Sequence, residues 1–255
     1  MLNFEHPLAT KIRKQMVATM AQYRLLRDGD RVLVCVSGGK DSSVLLALLT
    51  EIQKRAPFQF EIGAVMLDQK QPGFSAEEYQ KWVETEIGIS LTILEEDTYK
   101  IVQEKVTSGA YCSVCSRLRR GILYNYAFQN GFTKMALGHH RDDAAETLLL
   151  NLFYSGQLQA MPPKFRSDDE RNTIIRPLVE VSEADIQLLS EEWAIPVIPC
   201  NLCGSQDGLK RKKMKELLGQ LEGDIPDIRR SMATAVTNVR VSHLSDDRVW
   251  PFRDL

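Results

Sequence analysis

The seven residues VSGGKDS, at positions 36–42, stand between an unbroken apolar run, VLVCV, and an amphipathic stretch, SSVLLALLTEIQK. A strand with no polar face must be covered on both sides, which calls for a parallel sheet layered between helices. The turn that leaves such a strand and opens a helix presents backbone N–H groups and a helix N-terminus, an arrangement suited to an anion. Gly38 and Gly39 let the backbone approach that anion closely. In the common nucleotide triphosphatase loop the lysine is followed at once by Ser or Thr, whereas here Lys40 is followed by Asp41, so that loop is a poor match.

The alternation continues along the chain. FEIGAVMLD reads as a second strand, Ser75 with Glu78 as a capping box before a helix, and ISLTIL as a third strand. A helical stretch over 99–106 precedes a Cys-x-x-Cys pair, which in turn lies ahead of an arginine-rich helix over 116–129. KMALGHH follows as a buried strand, then DDAAETLLLNLFY as a helix with Ala145, Leu148, Leu149 and Leu152 on one side. TIIRPLVEVS, SEADIQLLSEEW and IPVIPCNLC give a last strand, helix and strand. An opening helix carries Ile12, Met16, Met20 and Tyr23 on one face and precedes the core alternation. KRKKMKELL and residues 225–239 form terminal helices, and the proline- and charge-rich stretch 161–172 is the best candidate for a mobile loop. The expected architecture is α/β: a doubly wound, mainly parallel sheet with added terminal helices. Its divisions are an N-terminal helical extension (1–29), the catalytic domain (30–206) and a C-terminal helical tail (207–255).

Hydrophobic residues make up 44% of the 255, enough for a continuous core, and the formal charge of −2 gives no global attraction for polyanions. A nucleic-acid partner would need a local basic patch. Five of the six residues 210–215 are basic, including Lys210, Arg211, Lys212 and Lys213, and Arg229 and Arg230 could extend that patch; a solvated helix face reads equally from the same run. The N-terminus lacks the apolar core of a signal peptide, and no segment reaches the ~18 apolar residues of a membrane span, so a cytoplasmic protein without membrane association is expected.

Five cysteines do not make a secreted disulfide framework. Four form two Cys-x-x-Cys pairs, at 112 and 115 and at 200 and 203, too far apart for a ribbon whose pairs lie ~15–20 residues from each other. Only the fold could unite them. Thiolates near a helix N-terminus and beside Arg117, Arg119 and Arg120 would have lowered pKa values, which suits metal ligation and sulfur chemistry alike. Cys35, inside an apolar strand, reads as a small buried residue.

Ser-Gly-Gly-x-Asp-Ser resembles the PP-loop of the N-type ATP pyrophosphatases, enzymes that split ATP between its α- and β-phosphates. The resemblance implies that Ser37, Gly38, Gly39, Lys40, Asp41 and Ser42 hold the departing pyrophosphate, with Mg2+. CSVCSRLRRGILY, LGHHRDD, FYSGQLQAMPPK and IPCNLCGSQ, over about 13–243, resemble more closely the tRNA-cytidine 2-sulfurtransferases, the 2-thiocytidine synthetase family. That family implies a 4Fe–4S cluster held by Cys112, Cys115 and Cys203, with one iron open and Cys200 a non-ligand. The position of Cys203 before Gly204 favours the same choice, because glycine lets backbone N–H groups approach a cluster sulfur.

The implied reaction uses ATP to turn the C2 oxygen of an anticodon-loop cytidine into a leaving group and replaces it with sulfur from a cysteine desulfurase. An unpaired cytidine of tRNA can be splayed into a pocket. Within this reading Asp142 or Asp143 would hold magnesium or assist attack, Arg119 would stabilise charge on the α-phosphate, and Asp68, Gly138 and His139 would face the nucleotide. Each has a plainer alternative: the two aspartates complement a helix dipole, the arginine is solvated, and His139 and His140 shape a loop. A homodimer is compatible with the sequence. Another PP-loop tRNA sulfurtransferase, or a lysidine synthetase that needs no cluster, is the nearest rival. A redox or metal-binding module would leave VSGGKDS unexplained.

Overall fold

The computed structural model describes residues 2–71, 74–105, 111–198 and 206–254. Cys200 and Cys203 lie outside the described residues, as does the side chain of Cys112. The elements run α1 (Pro7–Gln22), β1 (Asp30–Val36), α2 (Lys40–Arg55), β2 (Phe60–Asp68), α3 (Glu77–Trp82), β3 (Leu91–Glu95), α4 (Thr98–Lys105), α5 (Tyr111–Gln129), β4 (Lys134–Ala136), α6 (Arg141–Leu150), β5 (Lys164–Arg166), β6 (Thr173–Ile175), α7 (Glu183–Glu192), α8 (Gln206–Asp224) and α9 (Ile228–Ala235).

The strands form one sheet in the order β3-β2-β1-β4-β6-β5. All neighbours are parallel except β5, which pairs antiparallel with β6 at one edge through Lys164↔Ile175 and Arg166↔Thr173. Alternation along β1 divides the core. Val32, Val34 and Val36 pack with α1, α2, α3 and α7, whereas Leu33 and the flanking Cys35 pack with Leu123, Tyr124 and Ala127 of α5 on the other face. Helices therefore cover both faces, as the continuous apolar strands require. Chain order reverses between β1 and β4, so the crevice beyond their C-terminal ends is the place where such folds bind ligands.

Several expectations change. Although α1 precedes the alternation, its Ile12 and Met16 are fully buried in the main core. The Ser75–Glu78 capping box does not form, because α3 is capped at Ala76, past the serine, with no side-chain bond. The first cysteine pair lies within the opening turns of α5 rather than ahead of a helix. After α6 the chain loosens into a π-helical turn, Asn151–Ser155, which rotates Leu152 out to solvent. Part of the stretch 161–172 is the edge strand β5, and IPVI is not a strand; its last amide is engaged elsewhere. A small separate cluster joins Ala145 and Leu149 of α6 to Met214 and Leu218 of α8.

Candidate active site

The loop between β1 and α2 is braced from within. Ser37 N donates to Ser42 Oγ at 3.1 Å, Ser42 Oγ donates to Gly39 O at 3.1 Å, and Ser43 Oγ reaches the same carbonyl at 2.9 Å. The two short hydroxyl residues thus fix the loop's shape before any ligand arrives. Gly38 has φ +77°, and a Cβ there would stand 2.8 Å from Ile198. Ile198 N donates to Gly38 O at 2.9 Å, so the segment leading to Cys200 and Cys203 is stitched onto the loop. The loop after β4 presses on the same place: a Cβ on Gly138 would be 2.8 Å from Ser42 N, a backbone contact only glycine permits.

Charged groups gather around this crevice. Lys40 Nζ lies 3.0 Å from Asp41 Oδ1 and 3.3 Å from Glu183 Oε1. Burial works to lower the Lys40 pKa, but Asp41 and Glu183 outweigh it and the net shift is upward, so the ammonium stays charged for an incoming phosphate. Glu183 also receives Lys215 of α8 at 2.6 Å; burial opposes its ionisation, yet Lys215 and Lys40 bring its pKa down to about 2. His140 caps α6, with Nδ1 accepting from Asp143 N at 3.3 Å while its own N–H donates to Asp143 Oδ2 at 3.2 Å. Its other ring nitrogen, Nε2, is 3.8 Å from Asp41 Oδ1.

Beside it His139 is neutral: burial, then the neighbouring Arg176, brings its pKa down to about 4. Arg176 Nε donates to His139 Nδ1 at 3.3 Å, and its Nη1 donates to Pro162 O at 2.6 Å. Asp68 ends β2 with Oδ1 accepting from Lys70 N at 2.7 Å. Gln69 follows, buried, and its Oε1 accepts from Cys115 Sγ at 3.0 Å and from Thr98 Oγ1 at 3.1 Å. Cys115 is thereby tied to the same C-terminal edge of the sheet as the loop.

The other expected residues divide. Asp142 is buried, accepts from Glu183 N at 2.8 Å and pairs with Arg229 Nη1 at 3.1 Å. It borders a cavity of about 440 Å3 with Arg141, Ser182, Glu183 and Lys215. Asp143 is more open, and Arg211 Nη1 reaches its Oδ1 at 3.1 Å. The basic run is therefore not one outward patch. Arg211 and the half-exposed Lys215 are paired with Asp143 and Glu183, Lys210 Nζ lies 5.1 Å from the centre of the Tyr154 ring, and Lys212 and Lys213 project outward. Arg229 is buried and does not extend a surface patch. Arg117, Arg119 and Arg120 are exposed on α5. Cys35 is only partly buried beside the second core cluster, and burial pushes its thiol up to about 12 despite the pull of Arg119, which keeps it protonated.

Sequence reasoning passed over Gln69, Glu183, Arg176 and Ile198. Glu183 meets Lys40 across 143 positions and Gln69 meets Cys115 across 46, separations that no local pattern encodes.

A braced Gly-Gly-Lys-Asp loop at the switch point of a doubly wound sheet defines a nucleotide-phosphate-binding α/β protein, and residues 7–195 match the PP-loop domain family, to which the chain belongs. Within it the chain belongs with the tRNA-cytidine(32) 2-sulfurtransferases. It is 59% identical to the protein of that name from Bdellovibrio bacteriovorus, over 100% of this chain and 98% of the relative. It is 48% identical to that of Tolumonas auensis, over 97% and 82%. The fold also matches the U34-tRNA thiolase NcsA from Methanococcus maripaludis, solved with its 4Fe–4S cluster, at TM-score 0.76 and 22% identity over 93% of this chain and 81% of that one.

Proposed function

We propose that the protein is an ATP-dependent tRNA thiolase that adenylates the C2 oxygen of cytidine 32 and replaces that oxygen with sulfur. The observation that carries the reading is that Cys115 bonds to Gln69 just past the end of β2, while Ile198, two residues before Cys200, bonds to Gly38 of the phosphate loop beyond the neighbouring β1. In the first step the C2 oxygen attacks the α-phosphorus of ATP, the α–β bridging bond breaks and pyrophosphate leaves. Ser37, Gly38, Gly39 and Ser42 cradle that pyrophosphate. Lys40 exchanges Glu183 for phosphate oxygen, and Asp41 and Asp143 are the carboxylates that face the crevice to hold Mg2+. Neutral His139 and the backbone of Gly138 line the nucleotide, Asp68 faces its ribose or base, and Arg119 stands one turn beyond Cys115 to offset charge on the α-phosphate.

In the second step sulfur adds at C2 and the C2–O bond breaks, so the oxygen departs on AMP. With sulfur at the sulfide level the exchange is redox-neutral. Three thiolates suit a 4Fe–4S cluster, and the donor chemistry fits: Cys112 and Cys115 are one helical turn apart, and the chain enters the Cys200–Cys203 stretch from a residue bonded to the phosphate loop. Cys112, Cys115 and Cys203 would hold it, with Cys200 outside the ligand set, and when bound it supplies an iron without a protein thiolate at which inorganic sulfur is carried. A cysteine desulfurase fits as the source of that sulfur in the cytoplasm, its persulfide being brought to the sulfide level by two electrons from a thiol reductant; no helix among the described residues is long and apolar enough to cross a membrane. Residues 30–206 form the catalytic unit and 207–255 the tRNA-binding tail, with Lys212 and Lys213 on phosphates and Arg117 and Arg120 as further cations; a homodimer would double that surface.

Replacing Asp41 separates activation from sulfur carriage. Asp41→Ala is expected to lower tRNA-dependent AMP formation by about 10²–10³-fold, the scale of losing one electrostatic partner of a transition state, with iron content unchanged. Thiolation at the wild-type rate by this variant would refute the assignment.

A further inference from the structure

Gln69 is buried to 8% exposure immediately after the end of β2. Its backbone is fixed on one side by β2, and its carbonyl accepts from Tyr99 N at 3.3 Å in the first turn of α4. Its side-chain oxygen sits between two donors, the Cys115 thiol at 3.0 Å and the Thr98 hydroxyl at 3.1 Å. Thr98 is itself 2% exposed and Cys115 is half-buried, so the amide and the hydroxyl are shielded from bulk water.

Resting on the proposed function, in which Cys115 ligates iron, we propose that Gln69 is a positioning residue for that ligand, holding the thiol in the metal-free protein and donating an N–H to the sulfur once iron is bound. Ligation takes the proton from sulfur and leaves it an acceptor only. Two acceptors facing each other at 3.0 Å inside a buried site would repel, since an unpaired buried polar atom costs free energy. Rotation of the terminal amide by half a turn removes the conflict. Nε2 then occupies the place of Oε1 and brings two N–H donors, one for the Cys115 sulfur and one for the Thr98 oxygen. Thr98 makes both states possible, because a hydroxyl donates in the first and accepts in the second. Hydrogen bonds to cluster sulfurs favour the reduced, more negative state and so raise the reduction potential. Gln69 also adjoins Asp68 at the nucleotide edge, so one strand end serves both halves of the reaction.

The test compares anaerobically loaded wild type with Gln69→Met, which keeps the length and has neither donor nor strong acceptor, and Gln69→Glu, which keeps the shape but only accepts. Reduction potential by spectroelectrochemistry and iron loss to a chelator are measured, with a thermal unfolding scan of each metal-free protein as a check on folding. The expected order of potential is wild type highest, Met lower, Glu lowest, with iron lost faster in the same order and the unfolding transition unchanged. A variant that folds as wild type does and loses its iron outright also supports the assignment. Potentials and chelation rates equal to wild type in both variants would overturn it. Neither readout involves ATP or tRNA, so loss of thiolation alone, with these values as expected, would count against the proposed reaction and not against Gln69.

Discussion

Glu146 lies on α6 at 4% exposure, and burial, with Asp143 and Glu183 adding to it against Arg211 and Lys215, pushes its pKa up to about 7. In the unfolded chain the same carboxyl titrates near 4.5. Between these values the folded protein keeps a proton that the unfolded chain has released, so stability is full below about 4.5 and is lost as pH rises to about 7. Glu146→Gln, which mimics the protonated form, is expected to exceed wild type in stability by on the order of 3 kcal/mol at pH 8, the gain shrinking toward pH 5. Urea unfolding at the two pH values checks this, and a gain independent of pH would contradict it. Asp142 requires the opposite caution. Truncating it would leave Arg229 with Glu222 alone and the Glu183 amide without its acceptor, at a cost of about 1–3 kcal/mol, so lost activity in Asp142→Ala would not by itself make Asp142 catalytic. The loop 37–42 was legible as a braced turn from strand to helix because one contiguous run forms it. Gln69 was not, since its meaning depends on a thiol and a hydroxyl that only folding brings to it.

At the scale of elements, every strand but the edge strand β5 was legible as an apolar run, while the strand ends were not. KMALGHH yields only three strand residues, because Gly138 must leave the ladder to press against Ser42, and IPVI gives its last amide to Gly38. Helix α8 shows why a charge run cannot be read by counting. Lysines and arginines on consecutive positions point around the helix, so Arg211 and Lys215 meet Asp143 and Glu183 while Lys212 and Lys213 meet solvent. Reversing all four of Lys210, Arg211, Lys212 and Lys213 would therefore damage the site as well as any RNA surface. The double variant Lys212→Glu, Lys213→Glu is the clean probe: it should weaken tRNA binding and reduce the slope of log affinity against log salt by about 1.5, at roughly 0.7–0.9 per phosphate contact. AMP formation at saturating tRNA should stay near wild type. An unchanged slope would make these lysines a solubilising face.

For the whole molecule, the sheet order places the ends of β1, β2 and β4 side by side, so residues from positions 37, 69, 115, 138 and 198 share one edge. The doubly wound class was legible from the alternation of strands and helices. The order of strands was not, because any of several orders buries the same apolar faces. In the proposed reaction the oxygen replaced by sulfur leaves on AMP. A tRNA carrying 18O at C2 of cytidine 32, incubated anaerobically with ATP, a sulfide source and the iron-loaded protein, tests it directly by mass spectrometry of the nucleotides and nucleosides. One 18O in the phosphate of AMP is expected for each 2-thiocytidine formed. AMP without the label, alongside 2-thiocytidine, would contradict it.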